Sequence, residues 1–202
     1  MTDLREIQVF YKSRDPLIYP YILSTDYSKL LDETGNPDYF ISLCKIIVSQ
    51  QLSGKAAETI YYRFQSLFNG NPQPQEIYEM SGDSLRNAGL SWSKVSYVKD
   101  LAEKALSNDV NFENLHLLQP GDVVKELTKI KGIGVWSVEM FLIFTLKNED
   151  VFSLGDLGLK KAVCNIYSLD NPEGDSISEI VNKWSPYRSY GSMALWNSLD
   201  NR

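Results

Sequence analysis

The amino-acid sequence predicts an all-α protein, and three observations support this prediction. Apolar residues recur at helical spacing along the chain, and no convincing series of alternating apolar and polar residues indicates a β-sheet. Turn-rich stretches, such as NGNPQPQ at 69–75, separate these periodic segments. A chain of 202 residues with 43% hydrophobic residues can bury one substantial core or two small lobes. We therefore expect two helical lobes with a cleft between them.

Helix boundaries follow from the apolar spacing and from the residues that interrupt it. The stretch ETGNPD at 33–38 is typical of a turn. Ser176 with Glu179 forms a capping-box pattern, and Ser185 with Pro186 indicates a cap and a first helical residue. The predicted helices cover the start to about residue 11, and then 17–31, 38–49, 54–68, 75–80, 83–88, 94–107, 121–129, 135–146, 156–167, 176–184 and 187–199.

Composition limits the functional classes. No apolar run approaches the roughly 20 residues that cross a bilayer, and the start of the chain lacks a signal-peptide core, so we expect an intracellular protein without a membrane partner. Cys44 and Cys164 are the only cysteines, and His116 is the only histidine, which argues against metal clusters and histidine triads. The net charge of −6 is unusual for a protein that binds nucleic acid.

The segment LTKIKGIGVWSVEMFLIF at 127–144 is the most informative part of the sequence. A short helix runs into Gly132-Ile133-Gly134, and a second helix follows directly. Glycine permits close backbone approach, and the first amides of a helix lack intrahelical partners, so this turn can bind a phosphate oxygen. Ile133 would anchor the turn in the core, and Ser137 would add a hydroxyl. A plain tight turn between packed helices is the alternative.

The hairpin segment, together with DVFSLGDLGLKKAV at 150–163, resembles the helix-hairpin-helix DNA glycosylases in order and spacing. In that family the hairpin binds the DNA backbone beside a lesion, and a later aspartate serves the chemistry. Asp156 stands at the corresponding position. The resemblance implies one glycosylase core of two subdomains over residues 1–202, most similar to the 3-methyladenine DNA glycosylase II branch. Without this context, Asp156 is the expected N-cap of a helix that begins near Leu157, and the two roles are compatible.

The resemblance implies hydrolysis of the bond between deoxyribose and a base. Positive charge develops on the sugar, and an ionised carboxylate stabilises that charge and orients the attacking water. Members that also cleave the backbone carry a lysine nucleophile two residues after the second hairpin glycine, where this chain has Trp136, and Lys131 lies on the wrong side of the hairpin to replace it. We predict a monofunctional glycosylase that removes alkylated bases, such as 3-methyladenine and 7-methylguanine, and leaves an abasic site in base excision repair.

A flipped, electron-poor base is best held between aromatic faces. Trp136 is one candidate, and Met140 shares its helical face one turn later. The segment WSPYRSYGSMALWNSL at 184–199 resembles the terminal helix of the 3-methyladenine branch, in which an active-site tryptophan corresponds to Trp196. Burial in the core is the alternative for both tryptophans.

The loop VSQQLSGKAAETI at 48–60 resembles the loop with which this family fills the gap left by a flipped nucleotide. Gln51 is the predicted plug, Leu52 a predicted wedge, and Ser53 is expected to reach the minor groove. The alternative is a plain turn between helices, in which Ser53 is the N-cap and Gly54 eases the corner.

The implied partner is double-stranded DNA that contains damaged bases, bound by a monomer. Relatives of the family can hold a monovalent cation on hairpin carbonyls, which here are those of Thr128, Ile130 and Ile133. The iron–sulfur cluster of other branches is not expected, because only two cysteines are present. The expected phosphate contacts include Lys131, Gly132, Gly134 and Ser137, and a local positive patch is expected from Lys55, Lys131, Lys160 and Lys161.

Two other functions fit part of the same pattern. The hairpin alone would suit a helix-hairpin-helix module that binds DNA without catalysis, but the position of Asp156 argues against this. A glycosylase for oxidised or mismatched bases is the second alternative.

Overall fold

Helices form the regular structure of residues 2–31, 37–170 and 174–200, which are the residues that the computed structural model describes, and no strand occurs in these ranges. The all-α prediction is therefore confirmed. None of these helices is long and apolar enough to cross a membrane. In chain order they are α1 (Leu4–Arg14), α2 (Tyr19–Ser24), α3 (Ser28–Leu31), α4 (Tyr39–Ser49), α5 (Gly54–Ser66), α6 (Pro74–Glu79), α7 (Gly82–Asn87), α8 (Trp92–Ser107), α9 (Pro120–Leu127), α10 (Val135–Phe144), α11 (Leu157–Tyr167), α12 (Gly174–Asn182) and α13 (Arg188–Asp200), with a 3-10 turn at Leu115–Leu117.

Short polar side chains fix the starts of several helices. Asp3, Asp38, Ser81 and Ser91 are the N-caps of α1, α4, α7 and α8, respectively. Each side chain accepts a hydrogen bond from a backbone amide in the first turn, where amides have no partner within the helix.

The chain divides into two compact units. The terminal unit consists of Met1–Thr34 and Leu142–Arg202, and the central unit consists of Gly35–Phe141. Helix α10 begins in the central unit and ends in the terminal unit. Each unit has its own buried side chains.

The terminal unit has a polar cluster inside its apolar core. Helix α13 packs against α2, α11 and α12, and Trp184 is fully buried. Asp15 is only 6% exposed, and its Oδ2 accepts hydrogen bonds from Tyr167 Oη at 2.7 Å and Trp184 Nε1 at 2.8 Å. Burial and the bond to Asp15 raise the pKa of Tyr167, which keeps its phenol protonated as a donor. These bonds offset the cost of burying the carboxyl group.

Helix α8 is the centre of the central unit. It packs against α4, α6 and α7, and α4 packs against α5. The core between these helices includes the buried residues Leu43, Ile47, Phe64, Ile77 and Leu101. Because α8 packs beside α4, its side chains lie close to the turn that follows α4.

The single helix expected over 17–31 is wrong, because α2 and α3 replace it. The Thr25 hydroxyl donates to the Tyr21 carbonyl at 2.7 Å, and Thr25 itself has an extended backbone. The Asp26 carboxylate then accepts from the Ser28 amide at 2.8 Å. Such local bonds from side chain to backbone compete with a continuous helix.

The caps expected at Ser176 and at Ser185-Pro186 are also wrong. Helix α12 begins at Gly174, so Ser176 lies inside it. Helix α13 begins only at Arg188, after a cis peptide bond between Ser185 and Pro186. Its first amide donates to Asp150 Oδ1 at 3.3 Å, so a residue remote in sequence supplies this cap.

Two further segments bear on the sequence expectations. The turn expected over 33–38 lies mostly outside the described residues, which resume at residue 37. The 3-10 turn at Leu115–Leu117 was not expected, because three residues are too few to show a helical period.

Candidate active site

Asp156 caps the start of α11, as expected from its position in the sequence. Its Oδ1 accepts the amide of Leu159 at 2.8 Å, and its own amide donates to the carbonyl of Ser153 at 3.2 Å. The Asp156 side chain is half-buried, whereas Ser153 is fully buried. The carboxylate is thus held in one orientation by the first turn of a helix, where the backbone amides have no intrahelical partner.

Trp196 meets Asp156 within the terminal unit. Its Nε1 donates to Asp156 Oδ1 at 3.4 Å, which is a long and therefore weak bond. The indole stacks on Phe144, with ring centroids 5.8 Å apart and an interplanar angle of 29°. Trp196 is half-buried, so it is not wholly a core residue. Sequence reasoning missed Phe144, because nothing in α10 alone indicates a ring partner on α13.

The two residues that follow Asp156 in the chain are an exposed leucine and a glycine. A Cβ added at Gly158 would lie 3.0 Å from Asp156 Oδ1 and 3.8 Å from Trp196 Cδ1, so glycine preserves space beside the carboxylate. Leu157 is 80% exposed. Its side chain is free of the core and is available to a large ligand.

The hairpin between α9 and α10 depends on Gly132 and Ile133, both in the central unit. Gly132 has φ +80°, and a Cβ there would lie 2.2 Å from Cδ2 of Tyr97. Ile133 is buried, as predicted, and its amide donates to the carbonyl of Ile130 at 3.1 Å. The amide of Lys131 donates to Asp100 Oδ2 at 2.7 Å. The tight hairpin therefore presses directly against α8.

The turn after α4 has an unusual backbone and a dense set of contacts. Gln51 is exposed and has φ +57°. Leu52 is half-buried, and Ser53 stands at the N-cap of α5 but makes no side-chain cap bond. Gln50 Nε2 donates to the Gly132 carbonyl at 2.9 Å.

Gln50 and Lys94 tie this turn to its surroundings in the central unit, and sequence reasoning named neither. Gln50 Nε2 also lies 3.2 Å from Ser137 Oγ, and Ser137 is only 4% exposed. Lys94 Nζ donates to the carbonyls of Val48 at 2.7 Å and of Gln50 at 2.8 Å. Local sequence gives no signal for contacts between residues so far apart in the chain.

Trp136 lies on an open groove of the central unit. It is 43% exposed, so the core alternative for this residue is wrong, and Met140 one turn later is half-buried. Gln51 and Gly132 line the same groove, which has a volume of about 760 Å³. Ser137 lines the groove as well, so four of the predicted site residues in this unit share one surface.

A second open cavity, of about 560 Å³, lies on the hairpin itself. Thr128, Ile130 and Ile133 line it together with Lys131 and Gly134. Main-chain carbonyl oxygens are ligands that hard cations accept, so the residues predicted to hold a cation are chemically suitable. The Ile130 carbonyl accepts one backbone bond, which leaves a second lone pair on that oxygen.

The predicted basic residues do not form one cluster within a unit. Lys55 and Lys131 are exposed in the central unit, whereas Lys160 and Lys161 lie on α11 of the terminal unit. Near the hairpin, Lys129 forms an ion pair with Glu126 at 2.6 Å, which reduces its charge toward a phosphate.

The sequence is similar to those of several DNA glycosylases. It is 30% identical to the Putative DNA-3-methyladenine glycosylase YfjP of Bacillus subtilis, over 98% of this chain and 74% of that protein. It is 38% identical to the DNA-3-methyladenine glycosylase of Saccharomyces cerevisiae, over 91% of this chain and 75% of that protein.

Solved structures show the same similarity. The 3-methyladenine DNA glycosylase Mag1 of Schizosaccharomyces pombe, in complex with abasic DNA, superposes with a TM-score of 0.80 at 28% identity, covering 96% of this chain and 97% of that chain. A DNA-3-methyladenine glycosidase of Bacillus halodurans superposes with a TM-score of 0.77 at 31% identity, covering 98% of this chain and 89% of that chain. Residues 44–186 match the family description of a HhH-GPD superfamily base excision DNA repair protein. The chain therefore belongs to the HhH-GPD superfamily of base excision DNA repair proteins.

Proposed function

We propose that this protein is a monofunctional DNA glycosylase that acts as a monomer on double-stranded DNA, removes alkylated bases and leaves an abasic site. The observation that carries the proposal is Asp156, fixed at the start of α11 by the Leu159 amide and contacted by Trp196 Nε1. The names of the relatives from Bacillus subtilis and Saccharomyces cerevisiae, both called DNA-3-methyladenine glycosylases, support alkylated bases as the substrate class.

The Asp156 carboxylate stabilises the deoxyribose while the bond between sugar and base breaks. Positive charge accumulates on the deoxyribose, and a fixed anion stabilises that charge more in the transition state than in the ground state. The same carboxylate orients the water that attacks the sugar carbon. An alkylated base leaves as a neutral molecule, because alkylation has already placed a positive charge on its ring, so a strong general acid is not required.

Aromatic rings supply recognition of the base. Trp196, stacked on Phe144, and the exposed Trp136 offer π-faces that attract an electron-poor alkylated ring more than a normal base. Met140 adds a polarizable surface one helical turn from Trp136. Trp136 also occupies the position at which a lysine nucleophile would permit strand cleavage, which favours hydrolysis alone.

The hairpin and the turn after α4 are the proposed DNA contacts. The hairpin, with Gly132 and Gly134, binds a phosphate beside the lesion, with Lys131 and Ser137 in support. Gln51 fills the gap left by the flipped nucleotide, Leu52 wedges the stack, and Ser53 reaches the minor groove.

Base release from defined duplexes tests the proposal. Duplexes that carry one 7-methylguanine or one 3-methyladenine are incubated with the native protein and with Asp156→Asn, and abasic sites are cleaved by alkali and counted. Asparagine still caps a helix but carries no charge, so the variant should fold normally and lose about 100-fold or more of the rate.

Each alternative has its own outcome in this assay. Tight binding without base release would mean a module that only binds DNA. Release only from oxidised or mismatched duplexes would contradict the alkylation proposal. A protein–DNA adduct trapped by borohydride would contradict hydrolysis without strand cleavage.

The proposed cation is tested separately. If the carbonyls of Thr128, Ile130 and Ile133 hold a monovalent cation, DNA affinity should be higher in potassium or sodium chloride than in tetramethylammonium chloride at equal ionic strength. Equal affinity in the three salts would contradict this part of the proposal.

A further inference from the structure

Lys94 closes the end of α4. Its Nζ lies 2.7 Å from the carbonyl of Val48, within the last turn of the helix, and 2.8 Å from the carbonyl of Gln50, just beyond it. The last carbonyls of a helix lack intrahelical partners and carry partial negative charge, so an ammonium group stabilises them. Burial lowers the pKa of Lys94, which indicates that protein groups replace part of its water.

The side chain of Gln50 continues from this point to the hairpin. Its amide nitrogen carries two hydrogens and has two acceptors in reach, the Gly132 carbonyl at 2.9 Å and Ser137 Oγ at 3.2 Å. Gly132 belongs to the hairpin, and Ser137 lies in the first turn of α10. One side chain thus joins the turn after α4 to both parts of the proposed phosphate site.

Helix α8 supports both ends of this connection. Lys94 lies in its first turn, where the Ser91 hydroxyl accepts the Lys94 amide at 3.2 Å. One turn later, the Tyr97 ring packs so closely on Gly132 that a single added Cβ would overlap it. Gln51, with its left-handed φ of +57°, stands directly beside Gln50.

We propose that Lys94 and Gln50 form a bridge that fixes the gap-filling turn at 50–53 to the phosphate-binding hairpin, and that both act as positioning residues for base release. This inference rests on the proposed function. The bridge holds Gln51 in a fixed place relative to the bound phosphate. Contact of the hairpin with the DNA backbone and insertion of Gln51 into the duplex therefore happen together. Without the bridge, the turn and the hairpin would still form, but their positions relative to each other would no longer be fixed.

The variants that test the bridge are Lys94→Met and Gln50→Met, which keep similar length and remove the donors. Single-turnover base release from a 7-methylguanine duplex should fall by about 10-fold in each variant. The reason is that a turn displaced from the hairpin misplaces the flipped nucleotide. Affinity for undamaged duplex should change less than about threefold, because phosphate contacts dominate it. The double variant should be no slower than the slower single variant, because both residues act in one connection.

The matched control is Lys99→Met. Lys99 lies on the same helix, and its Nζ donates to the carbonyl of Tyr78 at 2.8 Å, so the control loses the same kind of bond at a remote place. Lys94→Arg, which retains the charge and the donors, should restore most of the rate. An equal loss in Lys99→Met, or no restoration in Lys94→Arg, would reduce the effect to general packing and overturn the bridge.

A second readout separates this inference from the proposed function. A duplex with 2-aminopurine beside an abasic-site analogue reports unstacking by fluorescence and needs no base release. The native protein should raise the fluorescence, and Lys94→Met and Gln50→Met should raise it much less. If native protein raises fluorescence but releases no base, the proposed function fails and the bridge is still tested by the variants. If Lys94→Met and Gln50→Met raised the fluorescence as much as the native protein does, the bridge would be overturned, whereas the proposed function would stand.

Discussion

Gly132 meets two constraints at once, because its backbone is left-handed and the Tyr97 ring occupies the space of a side chain. Gly132→Ala would place a Cβ 2.2 Å from Tyr97 Cδ2 at φ +80°, and the hairpin would have to move. We expect a loss of about 1–3 kcal/mol in the free energy of unfolding, measured by urea denaturation, and weaker DNA binding.

The second hairpin glycine is the control for this prediction. An added Cβ at Gly134 has no neighbour within 4 Å, and its φ is not in the left-handed region. Gly134→Ala should therefore change the free energy of unfolding by less than about 1 kcal/mol. Equal destabilisation by both substitutions would show that the Tyr97 contact is not what requires glycine.

Gly158 is the residue at which activity and stability should separate. In Gly158→Ala the new Cβ would lie 3.0 Å from Asp156 Oδ1, so the carboxylate would have to shift by a few tenths of an ångström. Alanine favours helix, so the free energy of unfolding should stay within about 1 kcal/mol of the native value. Base release should fall by about 10-fold, because a small displacement of a catalytic group is costly.

Gly155, immediately before Asp156, is the matched control. A Cβ at Gly155 would have no neighbour within 4 Å, so Gly155→Ala should leave base release and stability near native values. If Gly155→Ala slowed base release as much as Gly158→Ala, the turn before α11 would be the sensitive feature, and crowding of the carboxylate would not explain the loss.

At the scale of elements, α13 depends on a cap from outside its own sequence. Asp150 accepts the Arg188 amide at 3.3 Å, Arg188 Nε at 2.6 Å and the Ser185 hydroxyl at 2.9 Å. Burial by itself would raise the pKa of Asp150, but the hydrogen bonds and the Arg188 charge together lower it. The folded protein therefore binds the Asp150 proton less tightly than the unfolded chain.

The sign of this shift predicts an acid-dependent contribution to stability. The contribution is complete above the unfolded pKa of about 3.9 and is lost as the pH falls through the lower folded pKa. Asp150→Asn should cost about 1–2 kcal/mol at pH 7, a range reduced for partial exposure of the pair. The cost should shrink as the pH falls toward 2 in urea denaturation series. A cost independent of pH would contradict the ionic origin of the cap.

The source of each helix cap decides which helices the sequence could predict. Helices such as α4, α8 and α11 begin at a local Asp or Ser that caps them and carry a clear apolar period, so their positions follow from neighbouring residues. The start of α13 depends on Asp150, and Ser185-Pro186 could not indicate that. The break between α2 and α3 depends on competing hydroxyl and carboxylate bonds that apolar spacing does not record.

At the scale of the whole molecule, the sequence predicted the parts of the site that are local motifs. Asp156, the glycine hairpin and the turn at 50–53 each have a characteristic run of residues. Gln50, Lys94 and Phe144 have no such run, because each is distinguished only by contacts with partners that folding brings near. Motifs therefore predicted the candidate catalytic and DNA-contacting residues, whereas the contacts of Gln50, Lys94 and Phe144 became visible only in the structure.

The net charge of −6 bears on how the whole molecule binds DNA. Near the hairpin, Lys129 is paired with Glu126, and Asp100 lies beside the Lys131 amide. Because Glu126 and Asp100 offset part of the positive charge there, we expect backbone amides to carry much of the proposed phosphate contact. Since each phosphate neutralised by a cation contributes about −0.9 to the slope of log affinity against log salt, we expect a shallow slope of about −2 to −3.

Titration of DNA affinity against salt tests this expectation with two lysine variants. Lys131→Ala should make the slope shallower by about 0.9, because it removes one exposed cation from the hairpin. Lys125→Ala should leave the slope unchanged, because Lys125 is paired with Asp122 at 2.8 Å on α9. A native slope steeper than about −6 would require an extensive cationic surface, and the hairpin amides would then not be the main source of affinity.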